Sequence, residues 1–334
     1  MFIIAENNIF PMNILITSAG RRVSLVREFQ KELKNFYPEA KVFAADSEPE
    51  LSAACQIADD FFLVPRVDDP KYGEVLQSIC EKHSIKLIIP TIDTELIVLS
   101  KNKLEFLEQG IDIVVSDYHF ISQCRNKRLI HRFLEDRGVN IAKEFSKENY
   151  QLPIFIKPID GSRSVDTYII KEKEELKDYH FQNDKLMFLE YLDHDEYDEF
   201  TCDLYFDKNS KLKCVVPRQR LEVRDGEVYK AVTKNNILVS YIREHLNYID
   251  GAFGCITAQF FIHKVDETKI YGIEINPRFG GGYPLSYLSG ANFPKWLIKE
   301  YFLQNSIEDK FDSWESDLLM IRYDDEILVH GYKG

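Results

Sequence analysis

The sequence contains no C-x-x-C pair and no H-E-x-x-H run. Its six cysteines, Cys55, Cys80, Cys124, Cys202, Cys214 and Cys255, are scattered along the chain. That pattern offers neither a zinc site nor a disulfide framework, and the cysteines read as reduced core residues of a cytoplasmic protein. Positive charge is in deficit, with 42 Lys plus Arg against 55 Asp plus Glu, for a formal net charge of -13. Affinity for a nucleic-acid backbone rests on clustered cations, so no nucleic acid is expected as partner, although a local basic pocket for one small anion is compatible with this balance. No apolar run approaches the ~20 residues that span a bilayer, so no membrane partner is expected. The opening "MFIIAENNIFPM" has no basic leader and carries Glu6, unlike a signal peptide. Because "MNILITSAGRR" from Met12 already reads as a strand start, the first eleven residues are set aside as an upstream extension. No internal repeat or low-complexity segment is present. The acidic turn Asp193, Asp195, Glu196, Asp198 lacks the spacing and central glycine of a calcium loop.

What is present is an ordinary globular composition: 334 residues, 45% hydrophobic, enough for two or three domains. From Asn13 to about Asp117 short apolar runs alternate with helical patterns: "NILIT", "VSLVREFQKEL", "KVFAAD", "LSAACQIA", "FFLV", "YGEVLQSICEKH", "KLIIPT", "ELIVLSKNKLEFLEQ" and "DIVVSD". Strands separated by helices imply a parallel sheet covered on both faces, a doubly wound α/β domain over 12–117. A helical passage follows, with Leu129, Ile130, Phe133 and Leu134 as its apolar face and Gly138 as its stop. It links to a small subdomain, the two together spanning 118–192. From Pro153 the texture turns β-rich, with "PIFIKPIDG", "DTYIIKE", "KLMFLEYL", "EFTCDLYFD", "KLKCVVPRQRLEV" and "EVYKAVT" predicted as consecutive antiparallel strands. After the helix "NNILVSYIREHLNYI" come the pair "GCITAQFFIHK" and "KIYGIEINPRF", the helix "FPKWLIKEYF", and a predicted hairpin "DLLMIRYDDEILVH" turning at Asp324 and Asp325. The last subdomain is placed at 193–334.

Three residue sets bear chemistry. In "YGIEINPRFGGG", Glu274, Asn276 and Arg278 alternate, so on a strand they share one face while Ile273 and Ile275 face a core. With Gln259 of "TAQFF", Glu274 and Asn276 supply oxygen ligands suited to a hard cation such as Mg²⁺ that also leans on phosphates. Arg278 offers a fork of donors to a phosphoryl or carboxylate group. Gly280, Gly281 and Gly282 would let backbone approach a ligand closely. In "IFIKPIDGSRS", Lys157 follows three apolar residues, where an ammonium is costly unless it reaches an anion. The turn from Asp160 through Ser162 and Arg163 to Ser164 could cover phosphates. In "LMFLEYLDHDEYDEF" an apolar strand delivers Glu190, Tyr191 and Leu192 to a hinge that suits a purine, and Glu199 could accept from ribose hydroxyls. On the substrate side, Arg218 and Arg220 share a strand face and could hold a carboxylate or balance acidic neighbours. Asp93 and Glu95 follow a strand's carboxyl end, where open sheets bind ligands, but could equally cap the following helix, the reading preferred here.

This order of features resembles the ATP-grasp superfamily, in particular members similar to the large subunit of carbamoyl phosphate synthetase, biotin carboxylase and stand-alone carboxylate-amine ligases. The resemblance runs over nearly the whole chain, through "CRNKRL", "IFIKP", "FLEYL", "EFTCD", "TAQFF" and "EINPRFGGG". It implies a pre-ATP-grasp domain followed by ATP-grasp α+β domains. It also implies ATP with Mg²⁺, or Mn²⁺ in its place, and activation of a small-molecule carboxylate as an acyl phosphate that an amine then attacks. Lys127 and Lys157 would contact nucleotide phosphates, Glu190 with the backbone at Tyr191 and Leu192 would hold adenine, and Glu199 would bind ribose. Gln259, Glu274 and Asn276 would place the cation and Arg278 the transferred group. The loop at Ser162 is poorer in glycine than many family loops. Proteins of this kind are commonly dimers, so a homodimer is an expectation of the same resemblance. Two other readings stand beside it. One is a nucleotide sensor that keeps the fold without turnover. The other is a dinucleotide-dependent enzyme, suggested by "NILITSAGRR" and Asp46 but lacking the G-x-G-x-x-G turn, since only Gly20 follows the first strand.

Overall fold

The computed structural model describes residues 12–161, 165–224 and 226–332, so residues 1–11, Ser162, Arg163 and Ser164 lie outside the described residues. The chain divides into two compact units. One comprises the chain up to Val115 with Pro294–Ser306 and the segment from Asp325 onward, and the other comprises Ser116–Phe293 and Ile307–Asp324.

In the first unit the alternating pattern becomes five parallel strands, β1 (Asn13–Thr17), β2 (Val42–Asp46), β3 (Asp60–Leu63), β4 (Ile85–Pro90) and β5 (Asp112–Ile113), in the order β3-β2-β1-β4-β5. The helices are α1 (Val23–Phe36), α2 (Ala53–Ile57), α3 (Tyr72–Lys82) and α4 (Asp93–Glu108). All five residues of β1 are buried, as a strand covered on both faces requires. Helix α1 buries Leu25, Val26, Phe29 and Leu33, one stripe at helical spacing. The helix Phe293–Tyr301 belongs almost wholly to this unit.

The second unit opens with α5 (Tyr118–Cys124) and α6 (Lys127–Glu135). Its stop, Gly138, has φ +77°, which glycine adopts without strain. Ile130, Phe133 and Leu134 are buried as expected, but Leu129 is 41% exposed. It sits in the first turn of α6, off the buried stripe, and the imidazole of His131 fills that face instead.

A four-stranded sheet has the order β7-β10-β8-β9, from β7 (Glu144–Phe145), β8 (Ile154–Pro158), β9 (Tyr168–Ile170) and β10 (Leu186–Glu190). A seven-stranded sheet has the order β16-β13-β12-β11-β14-β15-β6. Its strands are β6 (Asn140–Ile141), β11 (Tyr197–Phe206), β12 (Leu212–Arg224), β13 (Glu227–Thr233), β14 (Gly254–His263), β15 (Ile270–Asn276) and β16 (Leu319–Ile321). Neighbours are antiparallel except β6, which runs parallel to β15. Strands β6 and β7 are only two residues long and leave no periodic signal. The hairpin expected at Asp324 and Asp325 does not form. Leu319–Ile321 instead pairs with β13, a partner nearly ninety residues away, and no strand follows it among the described residues. Cys55, Cys80, Cys202, Cys214 and Cys255 are buried and Cys124 is partly so.

Candidate nucleotide and cation site

The centre of the seven-stranded sheet carries the polar set. Opposite residues run in two rows, Arg218, Thr201, Gln259 and Glu274, then Val216, Asp203, Thr257 and Asn276. The structure therefore brings Gln259 and Glu274 together as direct cross-strand neighbours. Between Gln259 and Phe260 the register slips, so that Phe260 faces Gly272 and Ile273 is the extra residue of a bulge. Ile273 packs with Phe155, Ile159, Phe261 and Tyr271 against Met187, Leu189, Leu192 and Tyr197. This cluster draws side chains from both sheets of the unit and makes an apolar wall beside the polar row. Phe155 and Phe261 were not singled out from the sequence. Their alternation with Lys157 in "IFIKP" and with Gln259 in "TAQFF" is the signal that could have found them.

Strand β15 ends at Asn276, so Arg278 is not the third member of a strand alternation. Pro277 ends the ladder, and a turn closed by the Arg278 amide donating to the Asn276 carbonyl (2.8 Å) sets the direction of Arg278. Asn276 Nδ2 donates to Glu274 Oε1 at 2.9 Å, which orients the carboxylate and sets the side-chain Oδ1 of Asn276 beside it. Among the described residues no group of three or more His, Cys, Asp or Glu side chains is arranged so that it could hold a metal ion. The set thus has one carboxylate, Glu274, with two amide oxygens. That donor chemistry fits Mg²⁺ shared with phosphate oxygens and would be thin for a cation held by protein alone.

Lys157 is only 6% exposed. Burial pushes its pKa down to about 8. Glu274 opposes that fall and Lys127 adds to it. Lys127, at the start of α6, donates through Nζ to the Gly161 carbonyl at 2.5 Å, at the edge of the turn expected over phosphates. His131 lies close to both lysines. Burial first, then their charge, brings its pKa down to about 4, and its Nε2 contacts the Ile273 carbonyl at 3.2 Å. A neutral imidazole therefore backs the bulge.

At the hinge, the Glu190 amide donates to the Lys143 carbonyl at 2.8 Å, and Glu190 Oε2 accepts from the Lys143 amide at 3.3 Å. Leu192 is buried and Tyr191 partly so. An open cavity of about 530 Å³, lined in part by Glu190, Asn140, Ile141, Lys269 and Tyr271, touches neither Lys127 nor Lys157 nor the cation-side residues.

Other expected residues have protein partners. Glu199 forms an ion pair with Arg220. Arg218, fully buried, makes a two-point ion pair with Asp203 (2.7 and 3.1 Å). For both arginines the geometry is that of a basic stripe balancing acids on the adjacent strand, and it gives Arg218 no exposed surface for a substrate. Glu95 in the first unit is fully buried and accepts from the amides of Thr91 (2.7 Å) and Ile92 (3.0 Å), Ser18 Oγ (3.0 Å) and Tyr72 OH (2.9 Å). It is a helix-capping carboxylate, and Asp93 is the first residue of the same helix. The Gly281 carbonyl accepts from Arg322.

The doubly wound unit followed by two antiparallel sheets facing each other across a lysine and an acidic strand end defines the class. The comparisons agree with it. Residues 14–114 match the family described as "PylC-like, N-terminal domain", and residues 182–320 match "ATP-grasp in the biosynthetic pathway with Ter operon". The chain thus carries a PylC-like N-terminal domain and an ATP-grasp domain over these two stretches. No curated protein sequence matches it.

Among solved structures it is similar to the biotin carboxylase domain of 2-oxoglutarate carboxylase from Hydrogenobacter thermophilus, solved with MgADP, ADP and bicarbonate. The TM-score is 0.69 at 15% identity, over 92% of this chain and 73% of that one. It is also similar to N5-carboxyaminoimidazole synthetase from Staphylococcus aureus in complex with ADP, with TM-score 0.69, 16% identity and coverage of 90% and 79%. The L-amino acid ligase from Bacillus licheniformis gives TM-score 0.63 at 15% identity, with coverage of 87% and 74%. At these identities the likeness establishes the fold. No helix among the described residues is long and apolar enough to cross a membrane.

Proposed function

We propose that this chain is an ATP- and Mg²⁺-dependent carboxylate-amine ligase that forms ADP through an acyl phosphate. The observation that carries the reading is Lys157, a buried ammonium that burial disfavours, close enough to Glu274 to feel its charge and near a second cation, Lys127. Such a group is stable only if an anion completes it, and the neighbouring oxygen ligands suit the cation that accompanies a nucleotide's phosphates. Two of the similar structures contain ADP, one of them as MgADP, and two are by name a synthetase and an amino acid ligase.

In this reading the apolar wall of Phe155, Met187, Leu189, Phe261 and Ile273 takes the purine, with the hinge at Glu190, Tyr191 and Leu192 meeting its edge. Glu199, its charge balanced by Arg220, lies on the ribose side. Lys127, Lys157 and the turn that includes Ser162 hold the phosphates. Mg²⁺, held by Glu274 with Asn276 and Gln259, would offset the negative charge of the transferring phosphoryl group. Arg278 steadies that group. A carboxylate oxygen of the acid bonds to the γ-phosphorus as the bond to ADP breaks. The amine nitrogen then bonds to the acyl carbon, phosphate leaves, and the amine gives up a proton to solvent. No nucleophilic side chain takes part, because the protein acts by positioning and charge neutralisation. The substrates are a small-molecule carboxylate and amine. A cytoplasmic location and a homodimeric state belong to the same proposal.

The test is ADP release from Mg-ATP across free amino acids, hydroxy acids and amino-sugar acids, singly and in pairs, with Glu274→Ala as blank. A pair-dependent signal absent from the variant supports ligation. ATP binding with no ADP formed under any pair supports a sensor, and binding of NAD without ATP supports the dinucleotide reading.

A further inference from the structure

The geometry points to Arg218 as a positioning residue for Arg278, acting through a buried floor beneath the glycine loop. The inference rests on the ligase reading for the role of Arg278, and deepens it. Arg218 and Asp203 are both fully buried, and Asp203 takes Nε and Nη2 of Arg218 and, at 2.6 Å, the hydroxyl of Ser286 from α7 (Tyr283–Leu288). Thr257, 3.4 Å from the same carboxylate, has one hydroxyl proton and gives it to the carbonyl of Arg278 at 3.0 Å.

The loop lies directly on these groups. A side chain at Gly280 would meet Thr257 Oγ1 at 2.9 Å, and one at Gly282 would overlap Arg218 Nη1. From the other side Arg322 of the β16 end binds the Gly281 carbonyl and, at 3.3 Å, Glu227. Phe279 is buried with its ring 4.7 Å from that of Tyr283. Each residue from Arg278 to Gly282 is thus held by a named neighbour.

A buried ion pair contributes little net stability over an apolar core, and its best-attested use is to specify one geometry. Here the geometry specified is that of a loop whose first side chain is Arg278. Arg218 donates through a planar fork, which lysine lacks. Replacing it by lysine keeps the charge and frees the loop.

The experiment compares Mg-ADP with Mg-AMP-PNP by titration calorimetry, so that the preference for the non-hydrolysable triphosphate reads out contact with the terminal phosphoryl group. Arg278→Ala calibrates its loss. Arg218→Lys is expected to leave Mg-ADP affinity within about twofold and to remove roughly tenfold of the AMP-PNP preference, the worth of one charge-assisted hydrogen bond. Gly282→Ala, which leaves the ion pair chemically intact but pushes against Nη1, is expected to do the same. It keeps the test decisive if Arg218→Lys does not fold. Unchanged preference in the folded variants, with Arg278→Ala losing it, overturns the inference. Failure of the unaltered protein to bind either nucleotide overturns the ligase reading instead.

Discussion

Lys157 allows the functional argument to be tested as a stability argument, with no substrate in hand. Its pKa falls from 10.5 to about 8, chiefly because burial disfavours the charged form. At about 1.4 kcal/mol per decade this corresponds to roughly 3 kcal/mol. The sign follows from proton counting. Between pH 8 and 10.5 the unfolded chain binds the proton and the folded one does not, so stability rises with pH across that window. Below about pH 8 the full cost is present. Lys157→Met keeps the packing of the stem and removes the charge. The variant is therefore expected to be more stable than the unaltered protein at pH 7, by up to about 3 kcal/mol, with the difference shrinking towards zero near pH 10. Urea midpoints at the two pH values measure this. Mg-ATP should reverse the order by stabilising only the unaltered protein, and near pH 8 its binding should draw in about half a proton as the lysine recharges. Calorimetry in buffers of different ionisation enthalpy detects that uptake. A variant less stable at pH 7 would refute the reasoning, since the ammonium would then already be compensated without any ligand.

Glu274→Ala is expected to lower ADP formation by at least about a hundredfold by removing the one carboxylate of the cation set, with little change in melting temperature; normal turnover would remove Glu274 from that role. Gly272→Ala would set a methyl 2.9 Å from Leu134 Cδ1 and Val139 Cγ1, and should cost about 1–3 kcal/mol in chemical denaturation. Glu95→Ala leaves four donors in the first unit without an acceptor and should cost roughly 3 kcal/mol or more by the same measurement. Burial raises the Glu95 pKa despite those donors, so the first unit should lose stability as pH rises from 4.5 through the raised value, and Glu95→Gln should flatten that profile in melts across pH 4 to 8.

Much of this fold was legible in the sequence because its signals are local. The doubly wound unit follows from apolar runs alternating with helical stripes, and the long strands β11 to β15 from their composition. What failed was long-range or too short to carry a period. Strands β6 and β7 have two residues each, and β16 was read with its sequence neighbours although its partner is β13. In the site, Gln259 was set from the preceding strand beside Glu274 and Asn276, and the structure makes Gln259 and Glu274 direct cross-strand opposites. The bulge beside them was invisible, because a one-residue slip changes no residue type. It is this bulge that adds Ile273 to the apolar wall.

The glycines of "FGGG" show a different limit. Three small residues after "EINPR" suggested backbone laid open to a ligand, and the same sequence is equally what a loop needs to lie on a crowded floor. The distinction depends on what stands beneath. Gly280 rests against Thr257 and Gly282 against Arg218, both protein groups, while the Gly281 carbonyl faces Arg322. From the sequence, Arg218 could either hold a substrate carboxylate or balance acidic neighbours. With Asp203 on two of its nitrogens and Gly282 against the third, its positive charge is already matched and its surface already covered. A buried arginine that meets its acid on the neighbouring strand is placed to brace what lies on it, and that meeting is visible only in the register between β11 and β12.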